Sequence, residues 1–123
     1  MRILLVDDEL DLVSTLAERL AIRGITADYA TTGEQALCMA GENDYDLAVL
    51  DVKMPHLSGL ELWDQLHASH PRMRCIFLTG HTSKQDFQAG TRAGALYLLK
   101  PLKIEILIQK IRELLEDQGE AHE

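Results

Sequence analysis

Four short apolar runs in this chain each end on a charged or hydroxylated residue, and that repetition constrains the fold more than any other feature. Ile3-Leu4-Leu5-Val6 runs into Asp7 and Asp8, and Leu47-Ala48-Val49-Leu50 runs into Asp51. Cys75-Ile76-Phe77-Leu78 ends at Thr79, and the run from Ala95 to Leu99 ends at Lys100. Continuous apolar runs of this length mark strands buried on both faces, as in a parallel sheet covered by helices. All strand exits of such a sheet line one edge, where open α/β sheets bind their ligands. The pattern predicts an edge carrying three carboxylates, a hydroxyl and an ammonium, a set suited to a metal ion and a phosphoryl group.

The segments between the runs have helical periodicity. The first carries Leu12, Val13, Leu16 and Leu20 on one stripe and stops at Gly24. The second opens on Thr32 with Gln35 three residues on, a capping-box pattern, and stops near Gly41. Ser58 and Glu61 repeat that signature before a third helix that buries Leu62, Trp63 and Leu66. A fourth, from about Ser83 to Arg92, is weakly apolar and contains Gly90, which marks it as a candidate moving part. The fifth is the most regular, with Ile104, Leu107, Ile108, Ile111, Leu114 and Leu115 in helical period. One further strand, Ile25 to Tyr29, alternates apolar with polar residues and belongs at a sheet edge. The fold class expected is α/β: a doubly wound, flavodoxin-like parallel sheet of five strands with five helices on its two faces, for which the order 2-1-3-4-5 suits the edge place of the second strand, although spacing alone does not exclude other orders. Residues 1–117 form one domain, and residues 118–123 a polar C-terminal tail.

Composition narrows the function. A chain of 123 residues is one ordinary domain, able to bury roughly two-thirds of its surface. A net charge of −8 with no cluster of Lys and Arg argues against direct nucleic-acid binding. No apolar run approaches the roughly 18 residues of a membrane span. Met1-Arg2 leads straight into the first strand with no signal peptide expected, so the location expected is cytoplasmic. Cys38 and Cys75 form no CxxC pair and are expected as buried, reduced thiols. His56, His67, His70 and His122 are expected at the surface.

Two carboxylates about 4 Å apart repel by roughly 4 kcal/mol at an effective dielectric near 20. Three together need a cation or a bound proton. Mg²⁺ suits them, since it takes oxygen ligands and commonly uses one or two carboxylates with a phosphate; no His/Cys cluster competes for zinc. An aspartate beside such a metal can act as a nucleophile and form an acyl phosphate. Asp51 is the candidate, because its strand is apolar throughout and the loop after it combines Pro55 with Gly59 near a helix start. Lys100 would balance the charge of the phosphoryl group, and Thr79 would donate a hydrogen bond to it.

These motifs, in this order and on these elements, resemble the receiver domain of two-component response regulators. Val6-Asp7-Asp8-Glu9, Asp51-Val52-Lys53-Met54-Pro55 with Ser58-Gly59-Leu60-Glu61, Thr79-Gly80 and Lys100-Pro101 carry the resemblance, which covers essentially the whole chain. It implies that Asp51 accepts a phosphoryl group from the phosphohistidine of a sensor histidine kinase or phosphotransfer protein. It further implies Mg²⁺ held by the carboxylates of Asp8 and Asp51, by Asp7 through water, and by the backbone carbonyl of Lys53. Thr79 and Lys100 would hold the phosphoryl oxygens, and Lys100-Pro101 would be a cis peptide. Thr79 and Tyr97 would act as switch residues, changing the surface of the fourth predicted helix, the fifth strand and the fifth helix that an output domain or protein partner reads. Such a domain is a signalling module rather than an enzyme, although it assists its own phosphorylation and dephosphorylation.

Three departures from the family pattern stand out. The Gly94-Ala95 turn is one residue shorter than usual, and Ala95-Leu96-Tyr97 lacks the acidic pair of receivers that dimerise through strand five. Lys53 and His81, two positions after Asp51 and Thr79, are not carboxamides that would orient a hydrolytic water, so a long-lived phosphoryl state is expected. Other readings fit less well. A phosphatase of the haloacid-dehalogenase type would need an aspartate where Lys53 stands. A flavin-binding module would need a phosphate-cradling loop where Asp7-Asp8-Glu9 would repel one. A receiver-like adaptor that takes no phosphate would have little use for all five site residues.

Overall fold

The computed structural model describes residues 1–80 and 95–120, with side chains described through Glu116. The predicted helix at Ser83–Arg92, His81 and the Gly94 side of the short turn lie outside these residues, as does His122.

Five strands form one sheet: β1 (Arg2–Val6), β2 (Thr26–Ala30), β3 (Leu47–Asp51), β4 (Arg74–Thr79) and β5 (Ala95–Leu99). They are parallel and ordered β2-β1-β3-β4-β5, as the sequence pattern predicts. The helices described are α1 (Leu10–Ile22), α2 (Gly33–Glu42), α3 (Gly59–Ser69) and a C-terminal helix, Ile104–Glu120.

Alternate residues of the central strands enter two separate cores, which is why those strands are apolar without a break. On one face Leu4, Val6, Ala48, Leu50, Cys75 and Phe77 pack under α2 and α3, where Trp63 and Leu66 are fully buried. On the other, Ile3, Leu5, Leu47, Val49, Ile76 and Leu78 pack under α1 and the C-terminal helix, with Leu20 and Leu107 innermost. β2 has a neighbour on one side alone, and Tyr29 is exposed on it.

Helix ends follow the local chemistry. Ser58 Oγ accepts the Glu61 N–H at 3.2 Å and Thr32 Oγ1 the Gln35 N–H at 3.0 Å, so both predicted caps are present. The return arm of the second box reaches one residue further back, with Gln35 Oε1 accepting the Thr31 N–H at 2.9 Å. Gly24, at φ 80°, ends α1: the Ile25 N–H bonds to the Leu20 carbonyl and the Gly24 N–H to the Ala21 carbonyl.

Several finer expectations are corrected. α2 does not stop at Gly41; it runs through it to Glu42, where Asn43 caps it with both backbone N–H and side-chain amide on the Met39 carbonyl. Cys38 is exposed, because the buried stripe of α2 runs through Gly33, Ala36 and Ala40, while Cys75 is buried as expected. Leu12 is exposed as well; Ala17 takes the inward place beside Val13 and Leu20. His67 is half-buried, its ring 5.0 Å from that of Trp63 one helical turn earlier.

Candidate functional site

Strand register brings the chemistry together. Val6 lies beside Leu50, so Asp7 leaves β1 level with Asp51 at the end of β3. Asp51 lies beside Leu78 and Thr79 beside Leu99, so Thr79 on β4 stands one residue further out than Asp51, and Lys100 after β5 one residue further still. The Lys100 N–H donates to the Thr79 carbonyl at 2.7 Å, carrying the ladder to the edge itself. The Lys100–Pro101 peptide bond is cis.

Carboxylate oxygens of Asp7, Asp8 and Asp51 lie within 4.8 Å of one another. Asp7 and Asp51 are buried and Asp8 is exposed, so the cluster is a pit open on one side. Lys100 Nζ enters it, 2.9 Å from Asp7 Oδ2 and 3.6 Å from Asp51 Oδ2. The ammonium thus sits more tightly on Asp7 than on the predicted nucleophile. Asp7 is shared, since its Oδ1 accepts the Glu9 N–H at 2.9 Å. Thr79 is buried, and Lys53 is exposed with its N–H 3.4 Å from Asp51 Oδ1.

The electrostatics follow from three acids facing one base. Burial is the largest influence on Asp51 and raises its pKa, Asp7 and Asp8 push the same way, and Lys100 and the Lys53 N–H oppose them; the net direction is up. For Lys100, burial works against the charged form, but the hydrogen bond to Asp7 and the charges of Asp51, Asp7 and Glu9 outweigh it and hold the pKa above the usual lysine value. Three carboxylates and one ammonium leave a deficit that a divalent cation would neutralise. The donors are hard oxygens, as Mg²⁺ prefers, and oxygens that both touch one Mg²⁺ lie no more than about 4.2 Å apart. A spread reaching 4.8 Å leaves room for one of the three to act through a coordinated water. The residues present therefore fit the ion.

The loop after Asp51 is shaped by a close approach. A Cβ on Gly59 would run into the Asp51 carbonyl oxygen and stand 3.0 Å from Val52 Cα, while the Gly59 N–H donates to the Val52 carbonyl at 3.0 Å. Beyond it, His56 has φ 70°, and the Leu57 N–H reaches back to the Pro55 carbonyl at 2.8 Å.

Tyr97 is half-buried on β5, directly across from Phe77, their ring centroids 6.0 Å apart. Beside the acidic pit a cavity of about 380 Å³ opens between α1 and the start of the C-terminal helix, lined by Leu12, Leu16, Leu78, Pro101 and Leu102 with Asp7 and Lys100 at its rim. Asp7, Asp8, Asp51 and Lys100 thus meet in one pit, with Thr79 at the adjoining strand end. Sequence reasoning did not foresee that the Glu9 backbone N–H orients Asp7, and no side chain could signal it, since any residue but proline supplies that N–H.

Comparison with known proteins matches residues 3–112 to the family model of the response regulator receiver domain. The response regulator MprA of Mycobacterium leprae is 40% identical over 116 residues, covering 94% of this chain and 51% of the relative. The chain thus spans about half the length of the curated relatives it matches. A CheY-like receiver domain protein from Methanospirillum hungatei has a TM-score of 0.91 at 31% identity, covering 98% of this chain and 97% of that one. TrrA of Thermotoga maritima, solved in complex with Mg²⁺ and BeF, has a TM-score of 0.81 at 33% identity, covering 92% of this chain and 97% of that one.

Proposed function

Because the chain belongs to the response regulator receiver family, the phosphoacceptor modules of two-component signalling, we propose that Asp51 is its phosphoacceptor and that Asp7, Asp8, Thr79 and Lys100 serve the transfer. The observation that carries this reading is the cluster of three carboxylates within 4.8 Å of one another with Lys100 Nζ between two of them. Asp7, Asp8, Asp51 and the Lys53 backbone carbonyl would hold Mg²⁺, which when bound offsets the repulsion between carboxylates and phosphoryl oxygens.

The residues divide the work. An Asp51 oxygen attacks phosphorus, the new P–O bond forming as the P–N bond to the kinase imidazole breaks, and the imidazole nitrogen keeps the electron pair and takes up a proton. Lys100 moves from Asp7 and Asp51 to a phosphoryl oxygen, which carries the charge that Asp51 brought to the ion pair. The Thr79 hydroxyl donates to a second oxygen. Tyr97 then repacks against Phe77, changing the β5 surface. A sensor histidine kinase or phosphotransfer protein would donate the group, and an output domain or separate partner would read the surface.

The test is intact mass after incubation with Mg²⁺ and acetyl phosphate. Wild type should gain one phosphoryl group and Asp51→Ala none. An equal gain in Asp51→Ala overturns the assignment.

A further inference from the structure

Gly33 and Leu57 form a contact outside the acidic cluster that reaches it through the backbone. Gly33, the first residue of α2, is buried, and a Cβ there would meet Leu57 Cδ2 at 2.5 Å, Cβ at 3.0 Å and Cγ at 3.1 Å. Glycine is not demanded by backbone conformation, since Gly33 lies outside the left-handed region. Nor is it demanded by helix propensity, which favours alanine. Steric room for Leu57 is the reason that remains.

Leu57 belongs to the loop that follows Asp51. Its N–H closes the turn about His56, and with Met54 it rests half-buried on the core beneath α2 and α3. Gly59 pins the far end of that loop against the Asp51 carbonyl. The α2 end of the contact is equally fixed, by Thr32 and Gln35 and by the Asp7 N–H, which donates to the Ala30 carbonyl at 3.2 Å. A chain of packed and hydrogen-bonded groups therefore runs from Asp7 through the start of α2 and Leu57 to the segment holding Asp51 and the Lys53 carbonyl.

We propose that Gly33 is a positioning residue for the phosphoacceptor loop: its missing side chain lets α2 seat Leu57, and that seat sets where the Lys53 carbonyl stands relative to Asp7, Asp8 and Asp51. The inference rests on the reading of Asp51 and its metal given above. Displacing groups that orient metal ligands typically weakens binding roughly 10- to 100-fold.

The experiment compares wild type, Gly33→Ala, Leu57→Ala and the pair by calorimetric Mg²⁺ titration and by amide NMR of the metal-free proteins. Gly33→Ala should weaken Mg²⁺ binding roughly tenfold and move amide signals of residues 53–58, leaving those of α1 and the C-terminal helix in place. Leu57→Ala removes Cγ and Cδ2 and leaves only the Cβ contact at 3.0 Å, which a shift of a few tenths of an ångström relieves, so the pair should bind Mg²⁺ no more weakly than Leu57→Ala alone. Wild-type affinity and unmoved loop amides in Gly33→Ala overturn the inference, as do penalties that simply add in the pair. Should Gly33→Ala fail to fold, the pair decides, because relief of the clash must restore folding; a pair that also fails overturns the inference. Wild-type protein that binds no Mg²⁺ overturns the metal-assisted reading and this inference with it. Binding by wild type with no change in Gly33→Ala overturns the inference alone.

Discussion

At the end of β3 the charged form of the Asp51 carboxyl is disfavoured, first by burial and then by Asp7 and Asp8. A carboxyl whose folded-state pKa is raised binds its proton more tightly in the native protein than in the unfolded chain. Stability therefore falls as pH climbs from the ordinary aspartate value through the raised one, and Asp51 is a net cost at neutral pH. Asp51→Asn, which keeps the shape and removes the charge, should stabilise the metal-free protein on the order of 1 kcal/mol, an upward shift of a few degrees in thermal unfolding. A lower melting temperature than wild type at pH 7 would contradict this. A second titratable centre lies at the opposite edge of the sheet. Tyr45 OH donates to Asp28 Oδ2 at 2.7 Å, Arg2 bonds the same oxygen at 2.8 Å, and the Arg2 guanidinium lies 5.3 Å from the Tyr45 ring centre. Burial and then the Asp28 hydrogen bond push the phenol up to about 12. Being an acid with a raised pKa, Tyr45 contributes stability that is complete below about pH 10 and is lost as pH climbs toward about 12. Denaturant midpoints should therefore drop more steeply over that alkaline range in wild type than in Tyr45→Phe; parallel curves would refute it. At this scale the residues that meet at the strand exits were legible because each ends an apolar run. The Tyr45–Asp28–Arg2 network was not, since its members come from three separate strands and loops and share no local pattern.

Among the elements, α1 shows how far local signals reach. Gly24 was readable as its stop, and the structure adds the reason: a left-handed residue lets two N–H groups turn back onto the last carbonyls. Nothing lies within 4 Å of a Cβ built there, so Gly24→Ala isolates the conformational term. It should cost about 1 to 2 kcal/mol, measured by urea denaturation, with the native amide spectrum changed only near the end of α1. A substitution without effect would mean that the turn relaxes to negative φ. Other boundaries were less legible. Gly41 looked like a terminus, yet α2 passes through it because Asn43 caps the Met39 carbonyl instead. A stripe through Leu12 and Leu16 was expected on α1, but the helix is turned so that Ala17 faces the sheet and Leu12 lines the cavity near Lys100. Periodicity shows that a helix has an apolar side; the neighbouring C-terminal helix decides where that side is centred. Cys38 is exposed for the same kind of reason, since Ala36 and Ala40 face the core on that side of the sheet and define the buried face of α2.

For the whole molecule, stability is divided between two cores separated by the sheet. Leu107 is fully buried in the core beneath α1 and the C-terminal helix, so Leu107→Ala should cost about 2 to 5 kcal/mol by chemical denaturation. A loss below 1 kcal/mol would show that this face collapses around the gap. The parallel sheet with two covered faces was readable from the continuous apolar runs and the edge place of β2 from the alternating run at Ile25 to Tyr29, whereas order 2-1-3-4-5 followed from the doubly wound class, since spacing alone does not exclude other orders. The sequence by itself determined which groups meet at the strand exits, since connectivity and a two-residue strand repeat leave Asp7, Asp8, Asp51, Thr79 and Lys100 on one edge. Only the tertiary structure decided how they share one another. Lys100 rests nearer Asp7 than Asp51, Glu9 orients Asp7, and Gly33 makes room for Leu57 behind the loop. The Lys100 and Gly33 contacts join residues far apart in the chain across a few ångströms, fixed by helix rotation and packing, and such distances leave no trace in local periodicity.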